Sequence, residues 1–570
     1  MVNTKHTRPG PGILLVFLST VLLSYSLAAA TANTRKSKIV VALTTTLVDA
    51  SVSPYNQIQP GDTLFFEPGT RDYLLIRNFR GATGNPVIFL NLNGVVIIDT
   101  DHQFGISISD CQFIRLSGTG SIDNFYGFKV QRVLAGAGLG IGYMSSDVEI
   151  DHLNIQNVPI AGIYAKTDPD CSFTSTRDKF TQFNTIIHDN YILGAGNEGM
   201  YIGSSKYSGQ EFTCNGRDTV LLPSLLDGVK VYSNIISYAG WDGIQVSSAS
   251  ANCQVYDNLV LYDSQDEQPF QMSGILLGGG SKCDCFNNYI ANGKGDGIES
   301  HGLGGYRIFN NVIVNAGKTY KPGDSTQMKH GIFVSDVSVL PDSSFYILFN
   351  DIINPKSDGI RFSSVVSRNN LIASNVIINP GNFDYYEHGN TGFRGKDSYV
   401  MIPDASAQVA LKNNWFSRTQ DSARFDSSNY TLLPGSLLID AASPETHNVT
   451  FDFYHHLRPY GNGYDIGAFE YNPAYLGVSQ KEPVTKVVES PFPNPVSKTF
   501  TIKYQCDFPA DVTLRIYSLQ GAKLYQQSRT APSAGSYTLT EDVENLPEGI
   551  YLYTLQIGKQ QFSGRMVKKN

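Results

Sequence analysis

Between Val229 and Pro380 the apolar and polar positions recur as one short phrase: VKVYSNIIS, QVYDNLVLY, CDCFNNYIA, RIFNNVIVN, YILFNDIIN and LIASNVIIN. Each copy carries an apolar residue three places before an Asn and another two places after it, with Asp351 read once in the Asn place. The anchors Asn234, Asn258, Asn288, Asn311, Asp351 and Asn375 step by 24, 30, 23, 40 and 24 residues. A base period of 23–24 residues with occasional insertions is the signature of a solenoid. Alternating strand-forming residues beside a turn-favouring Asn make each unit a coil of β-strands rather than a helical repeat. The phrase extends upstream through Leu153 (in the Asn place) and Asn190, and downstream to Asn414.

A second ladder, a Gly followed by an apolar residue, accompanies the first: Gly162-Ile163, Gly199-Met200, Gly243-Ile244, Gly274-Ile275, Gly297-Ile298, Gly331-Ile332 and Gly359-Ile360. Spacing between the ladders sorts the insertions into two loop positions. One holds 261–272 and 317–329; the other holds the loops with Cys171 and Cys214, on consecutive coils. Neighbouring coils lie about 4.8 Å apart, so a Cys171–Cys214 disulfide is expected in an oxidising compartment. Cys253 and Cys283 also hold equivalent places, where stacked small core residues and a bridge are both open readings.

The chain ends differently from how it begins. Lys5 and Arg8, the apolar run Ile13–Leu27 and the alanines 28–30 read as a secretory signal over residues 1–30. That run is short for a membrane span, and no other stretch approaches one. Coils fill 38–471, closing at LRPYGNGYDIGAFEY, where Asp465, Glu470 and Arg458 are expected to satisfy one another. Residues 472–490 read as a linker, and 491–570 as alternating strands of a small antiparallel β-sandwich. The fold class is therefore all-β: a parallel β-solenoid followed by a sandwich. Losing residues 1–30 removes two basic and no acidic residues and shifts the net charge from −8 to −10. This acidic balance, with no basic stripe, argues against nucleic acid as a partner.

The C-terminal segment resembles the type A sorting domain of the type IX secretion system of Bacteroidota, through Pro493-Asn494-Pro495, YSLQGAKL, LPEGIYLYTLQ and the terminal MVKK. The resemblance implies that 491–570 engages that secretion machinery, with the protein released from, or held at, the outer surface of a Gram-negative bacterium. Residues 38–470 resemble right-handed parallel β-helix proteins of the pectate-lyase-like class. That resemblance implies an extracellular polysaccharide as partner and calcium as a candidate metal, without naming an activity: the motifs of polygalacturonases and of calcium-dependent lyases are missing.

Candidate chemistry comes from counting along the coils. With the apolar residue of each Gly ladder inward, the next residue points outward. This gives one row of Tyr164, Tyr201, Gln245, Leu276, Glu299, Phe333 and Arg361, and a second that includes Lys166, His301 and Ser335. Just before the Gly lies a third row with Glu198, Asp242, Ser273, Asp296, His330 and Asp358. Carboxylates, histidines, a cation and aromatic rings thus share one face. Glu299, His301, Asp296, Asp242 and His330 are the candidate catalytic residues; Tyr164, Tyr201, Lys166, Glu198 and Arg361 are the candidate binding residues. Hydrolysis of a glycan calls for two carboxyl groups, and β-elimination for a base and a cation. An Asp before Gly is also a common turn former, and a non-catalytic glycan-binding or adhesive surface is the alternative.

Overall fold

The computed structural model describes residues 38–569, apart from 323, 325, 382–392, 394, 421–422, 427–429, 474–487, 489–490 and 492–493. The signal segment and nearly all of the expected linker lie outside the described residues. Three long parallel sheets, of 13, 12 and 12 strands, build a right-handed β-helix. Each coil contributes a strand before the Asn to the first sheet, one after it to the second, and the Gly-ladder strand to the third.

The register follows the repeated phrase. In the first sheet Val231, Val255, Cys285, Ile308, Ile347 and Ile372 stack as successive partners. Ile236, Val260, Ile290, Ile313, Ile352 and Ile377 do so in the second. Ile244, Ile275, Ile298, Ile332 and Ile360 do so in the third. All are buried, so three stripes, β-branched throughout except at Cys285, fill the core. The ladder glycines are needed because this core is narrow. A Cβ on Gly297 would stand 2.4 Å from Ile313 Cγ2 and 2.5 Å from the Gly331 carbonyl oxygen.

The Asn ladder closes the corner between the first two sheets. Asn258 donates from Nδ2 to the Val231 carbonyl (2.9 Å) and to Asn288 Oδ1 (3.0 Å), and from its backbone N–H to the same Oδ1 (3.1 Å). The scheme repeats from Asn190 to Asn414. It satisfies backbone groups that a sharp buried turn would otherwise strand. One expectation is corrected. The ladder residue in the 345–353 coil is Asn350, which takes the N–H of Asn311, and not Asp351. Asp351 faces out of the coil beneath the stretch that holds Ala468 and accepts the Ala468 N–H.

Cys171–Cys214 forms a disulfide, and so does Cys253–Cys283, which settles the open alternative in favour of a bridge.

The regular coils stop at Trp415–Ser417. Residues 440–472, expected as a further closing coil, instead fold back along the Asn corner. Asn287 and Asn310 donate to the Asp452 and Phe451 carbonyls, and His455 pairs with Asp257 at 2.9 Å. The apolar residues of this stretch, such as Val449 and Phe451, cover the outward rings Phe286 and Phe309, which accounts for its position. Within it Arg458 bonds the Asp465 and Gly467 backbone carbonyls and lies 3.6 Å from Glu470, but the Asp465 carboxylate takes the Asp440 and Tyr471 N–H groups instead of Arg458, so the three side chains satisfy one another only in part.

Six antiparallel strands between Thr499 and Lys568 form the C-terminal sandwich around its own core. It docks against the coils through Tyr517 and Leu552, which pack with Phe125, Tyr126, Tyr191 and Ile235. Arg565 donates to the Asn234 and Asp257 carbonyls, and Ser563 bonds Asp189 at 3.0 Å. Arg565→Glu should place a carboxylate against those carbonyls and weaken docking by about 2 kcal/mol or more. Limited proteolysis between the two domains should then accelerate; an unchanged rate would show the contact to be idle.

Candidate functional site

The third sheet carries the outward row in register: Tyr164, Tyr201, Gln245, Leu276, Glu299, Phe333 and Arg361 are successive strand partners. The row is not one open groove. Gln245 and Leu276 are buried, and so is Asp242. The insertions lie against this part, with the Tyr207 ring on Gly280 and the buried Met272 ending the 261–272 loop. Two reachable clusters remain, one on each side.

The C-terminal cluster is centred on Glu299 and His301. Glu299 Oε1 meets His301 Nε2 at 2.6 Å, and Glu299 Oε2 accepts the Ser273 hydroxyl at 2.6 Å. His301 Nδ1 meets the Ser335 hydroxyl at 2.6 Å. A relay Ser273–Glu299–His301–Ser335 therefore crosses three coils. The Glu299 and His301 side chains are 14% and 18% exposed, enough for contact from outside. Burial alone would raise the Glu299 carboxyl. The His301 hydrogen bond and charge, Ser273 and Lys329 together outweigh it and hold the group below its usual value. Phe333 and Arg361 extend the open face, with Phe333 packed between His301 and His330.

Behind this pair the carboxyls change character. Asp296 receives Lys329 Nζ at 3.0 Å and the His330 N–H at 2.5 Å. His330 lies against Asp358, which also reaches Arg361 at 3.4 Å. These contacts tie Asp296 and His330 into the coil-to-coil scaffold beside the relay. Asp242 is different: neither carboxyl oxygen has a hydrogen-bond partner among the described residues. Burial first, then the negative Glu299, Glu198 and Asp263, raise its pKa well above the usual value. Burial likewise raises Glu198, and pushes Asp263 to about 6.

This gives a pH prediction. Below about pH 4, Asp242 is protonated in both folded and unfolded chains. As pH rises through its unfolded value the unfolded chain releases the proton and the folded one keeps it, so stability falls. Asp242→Asn removes that penalty. Its thermal midpoint should match the parent near pH 4 and exceed it at pH 7. A variant less stable at pH 7 would contradict this environment.

The orphaned Asp242 oxygens have the Glu198, Asp263 and Glu299 carboxyls only as electrostatic neighbours, and these carboxyls do not gather into a donor set that would hold calcium. Among the described residues the one grouping with ligand atoms within 4.8 Å of one another is Glu149, Asp151 and His188. Its donors are engaged: Asp151 takes Arg115, Ser117 and His152, and His188 bonds both Glu149 and Asp189. It is an ion-pair network beneath the docked sandwich.

On the N-terminal side, Tyr164 and Tyr201 meet edge to face at 5.3 Å, and Lys166 Nζ lies 5.1 and 4.9 Å from their ring centroids. Lys166 also pairs with Asp168 at 2.8 Å. A groove of about 490 Å³ opens beside them, lined by Ser107, Gly140, Tyr143 and Thr174 among others. Tyr201 and Glu299 are three coils apart, about 14 Å.

The counting brought Glu299 and His301 together and put Tyr164, Lys166 and Tyr201 in one cluster. It did not single out Ser335, Ser273 or Lys329. Ser335 was legible as the next residue after His301 in its row. Lys329 had no signal, because it ends an insertion whose path the repeat does not set.

Two family models match the chain: the right-handed β-helix region over residues 137–338, and the secretion system C-terminal sorting domain over 490–569. No curated protein is a recognisable relative of the sequence. Among solved structures, pectate lyase Pel9A is similar at 12% identity, covering 76% of this chain and 96% of its own, with a TM-score of 0.40. XylC, solved with xylose, is similar at 11% identity, 76% and 98% coverage and a TM-score of 0.39. A PL6 family polysaccharide lyase from Pseudopedobacter saltans is similar at 12% identity, 75% and 99% coverage and 0.29. The chain is a right-handed parallel β-helix protein with a type IX secretion sorting domain. It is exported, and is either released or held at the cell surface. Among the described residues no helix is long and apolar enough to cross a membrane.

Proposed function

We propose that this exported protein cleaves an extracellular polysaccharide at the outward face of the third sheet, with Glu299 and His301 as the proton-transferring pair. The observation that carries the reading is the Glu299–His301 contact of 2.6 Å at a partly open surface. Glu299 is ionised and held from both sides, so it can draw a proton through His301 or receive one directly, at a geometry that needs no rearrangement. The contrast with Asp242 adds to it. Two carboxyls whose surroundings push their titrations apart, one kept ionised and one kept protonated, are what acid–base chemistry at neutral pH requires. Glu299 leans back one coil to reach Ser273, which shortens its separation from the Asp242 coil below the roughly 10 Å of two coil steps. Asp242 is buried, so it acts from behind, as a proton store and as a determinant of the local charge. Lys329 and Arg361 supply the positive charge that an anionic sugar or a developing anion needs.

This geometry serves hydrolysis or β-elimination, and the polymer decides which. A panel of polysaccharides assayed for both reducing ends and absorbance at 235 nm separates the two outcomes. Product by either assay supports cleavage; glycan binding without product of either kind overturns it.

That last outcome belongs to a second reading, a glycan-binding surface. Tyr238 and Tyr262 favour it: their rings stack at 4.7 Å and 9°, half-exposed at a corner of neighbouring coils. A flat aromatic platform of this kind suits a sugar face. Substituting both tyrosines by Ala would abolish retention of the polymer if binding were the whole function.

A further inference from the structure

We propose that Ser335, His301 and Glu299 form a nucleophile–base–carboxylate triad that hydrolyses acyl esters carried by the glycan. It rests on the polysaccharide reading for its substrate class but not for its chemistry.

The geometry is that of an activated hydroxyl. Ser335 Oγ and His301 Nδ1 lie 2.6 Å apart, and His301 Nε2 and Glu299 Oε1 the same distance. With Glu299 ionised and the imidazole in its neutral form, the ring's one proton sits on Nε2 and is donated to the carboxylate. Nδ1 is then left with its lone pair facing the Ser335 hydroxyl, the arrangement a nucleophilic serine needs. Ser273, donating to Glu299 Oε2 at 2.6 Å, fixes the carboxylate as the carboxylate fixes the ring. All three members sit on adjacent coils of a rigid sheet, and Ser335, just past the end of its strand, is partly exposed. A hydrogen-bonded chain that only satisfied buried groups would not end on a reachable hydroxyl.

The chemistry balances without a further reactant. Ser335 Oγ adds to the ester carbonyl carbon as its proton moves to His301 Nδ1. The tetrahedral intermediate expels the sugar oxygen, which takes that proton and leaves as the free hydroxyl. Water then adds to the acyl-serine, giving a proton to His301 Nδ1. The acyl–Oγ bond breaks, Oγ regains the proton, and the carboxylic acid leaves. The ligand class is an O-acylated sugar polymer. Phe333, beside His301, offers an apolar wall for a small acyl group.

The test uses the whole exported chain with p-nitrophenyl acetate and with acetylated xylan, measuring acetate, reducing ends and 235 nm absorbance in parallel. A fluorophosphonate should add to Ser335, found by peptide mass spectrometry. Ser335→Ala should lose acetate release by about a thousandfold or more and lose the adduct. Glu299→Gln serves as the second variant, with adduct formation slowed at least a hundredfold. Acetate release that persists in Ser335→Ala overturns the triad. So does a parent protein that cuts polysaccharide yet releases no acetate and takes no adduct, which leaves the cleavage reading standing. Acetate release with an adduct but no chain cleavage supports the triad and removes the cleavage reading.

Discussion

Glu299→Gln should leave the β-helix folded and lower turnover on the cognate polysaccharide by about a thousandfold. The substitution is nearly isosteric. The amide oxygen can still accept from His301, and the strand pairing with Leu276 and Phe333 does not involve the side chain. What disappears is the negative charge that orients the imidazole proton and, with Lys329, sets the field of the site. Loss should therefore fall on kcat, with far-UV circular dichroism and the thermal midpoint close to the parent. Activity within a few-fold of the parent would remove Glu299 from the chemistry. A drop that tracks unfolding would make its role structural.

Asn288→Ala should have the largest effect on stability, about 3–5 kcal/mol, estimated from several buried polar groups losing their partners at once. The Asn288 Oδ1 takes both the N–H and the Nδ2 of Asn258, and its own Nδ2 serves the Val255 carbonyl and Asn311 Oδ1. An alanine leaves all of these unmatched in a corner with no exposure. Asn414 ends the ladder and is partly exposed, so the same change there should cost only about 1 kcal/mol. Because each coil touches mainly its neighbours, the damage should be local. Amide exchange should quicken around residues 255–315 and stay unchanged near the first coils. Equal costs at the two positions would contradict the ladder as the source of stability.

The repeat was legible because the same physics acts on every coil. One inward side chain per strand must be apolar, and one corner must satisfy its own backbone, so Val, Ile and Asn return at fixed places. The slip at Asp351 has a physical origin. Ile347 and Leu348 are both apolar, so the phrase YILFNDIIN fits the pattern in two frames. Phe349 takes the left-handed place (φ 55°) held by Asp257, Asn287 and Asn310 in other coils, which removes the polar cue. The rows of the third sheet were legible for the same reason as the core. Which of their members stay open was not, because the burial of Gln245 and Leu276 is a property of the packed structure that the repeat does not set. The return of 440–472 along the corner was equally hidden: it depends on contacts such as Asp257–His455, across 198 residues. Asp242 could be counted into its row as an acid before Gly, but its lack of a hydrogen-bond donor among the described residues is a property of the packed structure.

The most direct test of the site is a crystal structure of Glu299→Gln bound to an oligosaccharide of the cleaved polymer. The sugar should lie across the third sheet, with a glycosidic or ester oxygen beside His301 and Ser335 and a ring near Phe333 or Arg361. A chain bound instead at the Tyr238–Tyr262 corner or on the first sheet, with nothing beside His301, would contradict the assignment.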